Sequence, residues 1–491
     1  MRLLSILVAM LSIAAGTAAA QGYTATPITS ANSPIFFANF IDLNNKGQVL
    51  GDACIANCGV NRFPAVWSNG NFQALPIPTG YIYIANGLYK LNDSGTVVGT
   101  VQEASCSGFQ CIPPTDVVVW QDGTPTVIRP PANLFTGCTG AASSGSYALN
   151  SAGHILISTF YPSSAGIPGP CYAFWVYPGN SIVPFPMPPQ CIGVGPGGHP
   201  LTYDATPQKA MNDADQVVAN ILNSYCGPPY VNPAPTTTYD PAVIQPGGSF
   251  SFLPASGFTF GGGSGARAAE INNLGNVHGF EDGGVVIWDS NGAHLLGPAP
   301  SGYASLNNVG QVLYAYGLVT VPTNRFAIWQ NGVSTSIQVP PGVYPAGGNG
   351  GPFLNDAGQF TATDGANGRV LVSPSGACGQ DVSPQTQVTR GGFRYNHTGA
   401  RFSQAVTVTN GGGSSITGPI SLAFDKLPAT ATLFGISGVT QCLPPQGSQF
   451  INLGSASLAS GDSVSATLQF INTEKSGVSY QPRIITGSAR R

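Results

Sequence analysis

Apolar residues along most of this chain come in short, strand-length runs separated by turns rich in Gly, Asn and Asp, and one order of positions returns seven times. An apolar residue followed by Asn recurs as Leu43-Asn44, Leu91-Asn92, Leu149-Asn150, Met211-Asn212, Ile271-Asn272, Leu306-Asn307 and Leu354-Asn355. Three residues after each Asn stands Gly47, Gly95, Gly153, Asp215, Gly275, Gly310 or Gly358. Two residues further, Val49, Val97, Ile155, Val217, Val277, Val312 or Phe360 opens the next apolar run. A short hairpin loop needs a residue with positive φ near its end, which Gly adopts freely and Asp tolerates. The pattern therefore predicts a hairpin at the start of every unit.

A second signature closes the units: an apolar strand ending in Trp, then a turn. It reads Trp67-Ser68-Asn69-Gly70, Trp120-Gln121-Asp122-Gly123, Trp175-Val176-Tyr177-Pro178-Gly179, Trp288-Asp289-Ser290-Asn291-Gly292 and Trp329-Gln330-Asn331-Gly332. All five tryptophans fall at this position, and their fixed place before a turn marks them as packing residues. Ile244 stands there in the fourth unit and Val372 in the seventh.

Two hairpins per unit make four strands. Seven such units, 35 to 62 residues from one Asn to the next, suit a radial seven-bladed β-propeller, with a linear solenoid or a β-sandwich as rival arrangements. These residues resemble the bacterial extracellular HAF repeat, which has an Asn, a Gly turn, Val-Val-Gly and a later Trp before a Gly turn. Leu91-Asn92-Asp93-Ser94-Gly95-Thr96-Val97-Val98-Gly99 is the cleanest copy, and the resemblance covers residues 23–377. It implies a propeller-like fold and brings no activity and no catalytic residues. The seventh unit lacks an outermost strand after Gly376, so the strand-like segment Tyr23 to Ile28 is expected to complete it.

From Cys378 the repeat gives way to strict alternation, with Phe402, Val406 and Val408, then Ile420, Leu422 and Phe424, then Val464, Ala466, Leu468 and Phe470 on apolar faces. Period two with one apolar face predicts half-buried strands, and the length suits an immunoglobulin-like β-sandwich. The expected organisation is all-β: a signal peptide over 1–20, the repeats over 21–377 and the sandwich over 378–491.

Composition adds the compartment. Met1-Arg2, an apolar stretch from Leu3 to Ala15 and Ala18-Ala19-Ala20 have the layout of a cleavable export signal. No later apolar run is long enough to span a bilayer, so a secreted protein, extracellular or periplasmic, is expected. With 65 Gly, 42 Pro and 8% charged residues the chain looks poor in core, but 42% hydrophobic and 10% aromatic residues supply one. A net charge of -3 without a basic cluster argues against nucleic acid. In an exported chain the ten cysteines read as disulfides. Spacing suggests Cys54 with Cys58, Cys106 with Cys111, Cys138 with Cys171, Cys191 with Cys226, and Cys378 with Cys442, a connectivity that geometry must decide.

The Asn and Trp turns are short, so one face of the propeller is expected to be plain. The opposite face carries the long insertions Val101–Asp116, Arg129–Ser146, Thr159–Tyr172, Val183–Gln208 and Ile221–Pro241. Stapled loops on a rigid scaffold are where binding sits. Phe135, Tyr161, Tyr203, Tyr225, Tyr230 and Tyr239 are the candidate ligand-binding rings there, with loop packing as their alternative role.

No nucleophile elbow, zinc motif or phosphate loop occurs, and no cofactor or metal is expected. Asn212-Asp213-Ala214-Asp215 reads as the fourth hairpin turn and not as a calcium loop. Glu270, His278, Glu281 and Asp282 are the densest titratable group, but strand geometry gives no reason for them to converge. His199, Tyr203 and Asp204 share a long loop. The expected function is non-enzymatic binding or surface interaction, with an extracellular glycan or protein as partner. A carbohydrate-active lyase or hydrolase is the alternative, and a structural envelope component the third reading.

Overall fold

The computed structural model describes residues 22–486 except 31–33, 56–57, 59–60, 85–88, 105–114, 129–142, 162–168, 178–180, 185–208, 223–238, 255–265, 282–283, 299–303, 317–324, 331, 346–351, 366–367, 376–378, 397–400, 429, 435, 441–444, 446, 455–456 and 473–477. The expected export signal at 1–20 lies outside the described residues. Among the described residues there is no α-helix, and no helix is long and apolar enough to cross a membrane.

Residues 22–375 form seven small antiparallel sheets in an all-β, propeller-like arrangement. The first is typical: Ile35–Leu43, Val49–Ile55, Arg62–Ser68 and Asn71–Ala74 pair in chain order. Sheets built on Ser143–Leu149, Ala266–Ile271 and Ala304–Leu306 repeat that plan with four strands each. In the second sheet the innermost strand is split into Tyr81–Tyr83 and Lys90–Leu91. In the fourth and seventh it shrinks to single bridges, Met211 to Val217 and Leu354 to Phe360. The N-terminal strand Tyr23–Pro27 pairs along Arg369–Pro374, so the last sheet is completed from the start of the chain, as the missing strand required.

The turn chemistry explains why the units start where they do. Gly47, Gly95, Gly153, Gly275, Gly310 and Gly358 all have φ between 71° and 94°, and Asp215 takes the same conformation at 59°. The Gly of the Val-Val-Gly segment has a different cause. A Cβ on Gly99 would overlap the Tyr89 ring and come within 3.0 Å of Trp120, because both rings pack against that backbone. The tryptophans are packing residues: Trp67, Trp120 and Trp288 are buried, and their indole N–H groups donate to Thr29, Pro76 and Pro254 carbonyls at 3.0, 2.7 and 2.8 Å. Ile244 and Val372, which replace Trp, are fully buried as well.

The seven sheets are tied into a closed circle. Each repeat Asn donates its Nδ2 to the main-chain carbonyl of the next: Asn44 to Asn92 (2.9 Å), Asn92 to Asn150 (3.1 Å), Asn150 to Asn212 (3.4 Å) and Asn212 to Asn272 (3.0 Å). Asn272 then bonds Asn307 (2.9 Å), Asn307 bonds Asn355 (3.0 Å), and Asn355 returns to Asn44 (3.0 Å). The same carboxamide's Oδ1 caps its own turn, accepting from the N–H four residues on in every copy, Gln48 and Gln359 among them.

Residues 380–486 form two further five-stranded sheets. Arg401–Asn410 and Ser463–Asn472 are the long central pair of one, and Ile420–Asp425 is central to the other. The residues expected to face inward, Val406, Val408, Leu422, Phe424, Leu468 and Phe470, form one core, which also takes in Val309 from the sixth repeat turn.

Asn307 is fully buried, and Asn307→Ala removes the acceptor of the Gln311 N–H and the donors to Gln311 Oε1 and to the Asn355 carbonyl. Urea titration of this variant is expected to show a loss of about 2–4 kcal/mol, given ~1–3 kcal/mol for each buried polar group left without a partner.

Candidate functional site: the channel and its two faces

Two residues before each repeat Asn stand Asp42, Lys90, Ala148, Ala210, Glu270, Ser305 and Phe353, all of them buried. Bulges immediately before Asp42, Ala148 and Glu270 break the strand register there, and a bulge re-aims the side chain that follows it. The charged groups at this level join sheets. Asp42 accepts from the N–H groups of Leu43 and Leu91, both at 2.9 Å, which links the first sheet to the second. Glu270 accepts from the Leu306 N–H and, at 3.4 Å, from the Ser305 hydroxyl, linking fifth to sixth. Ser305 Oγ in turn accepts from Leu354 N–H at 3.1 Å.

Lys209 crosses the channel. Its Nζ, starting from the fourth sheet, donates to the Leu306 and Leu354 carbonyls of the sixth and seventh at 3.2 and 3.1 Å. Beside it remains a polar well of about 80 Å3, lined by Asp42, Lys90, Lys209 and four of the repeat asparagines, Asn44, Asn92, Asn150 and Asn212. Burial raises the Asp42 carboxyl above its ordinary value, an effect opposed by nearby Lys90, the Leu91 N–H and Lys209. Burial lowers the Lys90 amine, opposed by Asp42 and Glu270.

One expectation is corrected here. Glu270 and His278 do converge: pairing of Ala266–Ile271 with Val277–Glu281 sets them directly opposite, and His278 Nδ1 lies 3.5 Å from Glu270 Oε2. The missed signal was the Asn-x-x-Gly turn itself, since the register that pairs Ile271 with Val277 sets the residues two before and six after the Asn opposite each other. The pair is sealed, at 0% and 1% exposure, and neither His278 nitrogen has a hydrogen-bond partner among the described residues. A group with no path to solvent does not meet a substrate. Asp282 lies outside the described residues.

The mouth of the well is formed by the residue after each Asn. The main-chain N–H of Asn45 donates to Asp93 Oδ1, Ser151 to Asp213, Asp213 to Asn273, Asn273 to Asn308, Asn308 to Asp356 and Asp356 back to Asn45, at 2.6–3.2 Å. This second circle breaks at one junction, between Asp93 and Ser151, because the serine side chain is one atom too short to carry an acceptor across. Burial raises the Asp356 carboxyl, against the influence of Lys209.

This is the face expected to be plain, and the C-terminal sheets cover it. Between them lies a cleft of about 960 Å3, with the mouth residues on one side and Phe424, Lys426, Leu427, Pro428, Thr432 and Ile436 among those on the other. The covering wall is braced by Arg483, which holds Asp425 through two bonds of 2.8 and 3.0 Å and the Pro445 carbonyl at 2.8 Å. Lys426 follows Asp425 in a turn with φ of 57°.

On the opposite face, Cys54 and Cys58 are joined by a disulfide, beside the partly exposed Phe36 and Ile55. Of the predicted ligand rings, Phe135, Tyr203, Tyr225 and Tyr230 lie outside the described residues, as do His199 and Asp204. Tyr161 ends the strand Ile155–Tyr161 and Tyr239 begins Tyr239–Ile244, so both stand at strand ends where long connections leave and return. Cys106, Cys111, Cys138, Cys191, Cys226, Cys378 and Cys442 lie outside the described residues, and Cys171 falls in the strand Gly169–Tyr177.

No family model matches the sequence, and no curated protein matches it. Among solved structures, the chain is similar to a puromycin-hydrolyzing peptidase of Mycobacterium tuberculosis (10% identity, TM-score 0.38, covering 79% of this chain and 60% of that one). It is also similar to PorZ, a bacterial surface component of the type-IX secretion system of Porphyromonas gingivalis (10% identity, TM-score 0.37, 91% of this chain and 59% of that one). A third likeness is to the β-propeller domain of the Trilobed protease from Pyrococcus furiosus, which has an open velcro topology (11% identity, TM-score 0.28, 62% and 96%). The chain thus spans about three fifths of the length of the peptidase and of PorZ. These likenesses transfer no residue role and no activity.

The Asp42 clamp has a pH signature. A carboxyl raised in the folded state contributes stability that is fully present below its unfolded value, 3.8, and is lost as pH rises through the folded value. The melting temperature of the wild-type chain, measured against Asp42→Asn, is therefore expected to climb relative to the variant as pH falls from 7 toward 4.

Proposed function

We propose that this chain is a secreted, non-enzymatic binding or surface-interaction protein. In this reading the seven sheets are the blades of one propeller of HAF-type repeats, residues 378–491 are an immunoglobulin-like accessory sandwich, and the long-loop face recognises an extracellular glycan or protein. The observation that carries the reading is how the interior charges are used: Asp42, Glu270 and Lys209 all bond the main chain of a neighbouring or facing sheet. Ionisable groups committed to holding blades together make a scaffold, and a scaffold's specificity lies in the loops it displays. The sealing of Glu270 and His278 supports the same reading over a hydrolase or lyase, because acid–base catalysis needs a group within reach of the substrate.

A glycan and surface-protein array on the mature chain, run beside a variant with Tyr203, Tyr225 and Tyr230 changed to Ala, tests this. The expected result is a ligand whose binding falls at least tenfold in the variant while its far-ultraviolet circular dichroism is unchanged. Equal binding by both proteins would remove the long-loop face as the recognition surface.

A further inference from the structure

We propose that the cleft between the channel mouth and the C-terminal sheets is a second binding site, separate from the long-loop face, and that its ligand is a short uncharged oligosaccharide. Ligand sites gather at module interfaces and at the mouths of closed sheets, and occupy roughly 300–1,000 Å3. The cleft, at about 960 Å3, has both the place and the size.

Its two walls differ in chemistry. The repeat side presents amides, carboxylates and a hydroxyl, chiefly from Asn45, Asp93, Ser151, Asn273 and Asn308. Most of these groups are occupied by the circle of bonds around the mouth. The break at Asp93 and Ser151 leaves a main-chain N–H and a hydroxyl outside that circle, on a surface already lined with acceptors. A polyol supplies both donors and acceptors to such a gap. The opposite wall offers Leu427, Pro428, Ile436 and Pro445, an apolar surface suited to the C–H face of a pyranose ring, with Thr432 and Ser448 hydroxyls beside it.

Charge narrows the class. Asp93, Asp213, Asp356 and Lys46 line the repeat wall and Lys426 the opposite one, and no Arg is among the described residues lining the cleft. Three carboxylates against two lysines, with no guanidinium fork, disfavour an anionic ligand. Nor does the wall need to assemble on binding: Arg483 fixes the turn before Lys426 and the Pro445 segment, and Val309 anchors the C-terminal core to the sixth repeat turn. Preorganisation of this kind lowers the entropy lost on association.

Isothermal titration of the full mature chain with cellotetraose, maltotetraose and chitotetraose tests the site. Ser151 is exposed and Ser448 half-buried, on opposite walls, so Ser151→Trp and Ser448→Trp fill the cleft without entering a core. At least one tetraose is expected to bind, each Trp variant to weaken it tenfold or more at unchanged melting temperature, and Tyr225→Ala with Tyr230→Ala to leave it unaltered. Hydrogen exchange on the wild-type chain gives a readout that needs no variant: amides over 425–434 and 447–450 should slow with the bound tetraose. Absence of binding to all three at millimolar concentration overturns the proposal, as does binding that survives both Trp variants. Binding lost only with the tyrosines assigns the sugar to the long loops and overturns the cleft while leaving the first reading intact.

Discussion

The bond on which the rest of this structure depends is the one from each repeat asparagine to the next. A carboxamide carries an acceptor on one arm and a donor on the other. Here the acceptor closes the hairpin to which the residue belongs, and the donor reaches the main chain of the following sheet. Aspartate lacks the donor, the serine hydroxyl is one atom too short, and glutamine sets the amide one carbon too far out. That double use explains why Asn stands in all seven copies while the next residue varies among Asn, Asp and Ser. It also explains how the circle closes between Asn355 and Asn44, 311 positions apart in sequence. The strand Tyr23–Pro27 acts in the same direction by pairing along Arg369–Pro374, so the first and last sheets are held by both backbone and side-chain bonds.

A closed circle of hairpins leaves a central space, and its filling is uneven because the residues two before each Asn are uneven. Where that residue is Asp42, Glu270 or Ser305, its side chain bonds the next sheet. At Ala148 and Ala210 no such group exists, and beside Ala210 the main chain makes the link itself, through the Ile271 N–H to the Lys209 carbonyl at 2.9 Å. Lys209 then spans the opening. Burying these charges is costly unless each is bonded, and Asp42, Glu270 and Lys209 all meet that condition. The interior of the circle is accordingly an assembly device.

The two faces of the circle differ in how they are built. One is made of tight turns whose main-chain N–H groups donate to the side chain of the next turn in a nearly complete second circle, capped by the C-terminal sheets through Val309. The other is where the long connections leave the strands, with the Cys54–Cys58 disulfide tying down one of the shorter ones.

The local structure was legible in the sequence because turn chemistry and side-chain periodicity act over a few residues. Positive φ at Gly47 and Asp215, burial of Ile244 and Val372 in place of Trp, the alternating core of residues 402–470 and the return of Tyr23–Pro27 to the last sheet all follow from such short-range rules. What stayed hidden depended on a third dimension. The bond from the Leu306 N–H to Glu270 and the reach of Lys209 to Leu306 and Leu354 join residues 36, 97 and 145 positions apart. The face judged plain from its short turns became one wall of a cleft because two modules meet there, and the sequence of neither wall records the other. Sequence by itself determined the strands, their turns and their sevenfold recurrence. Only tertiary closure decided which of their side chains would join sheets and which would be left to line a site.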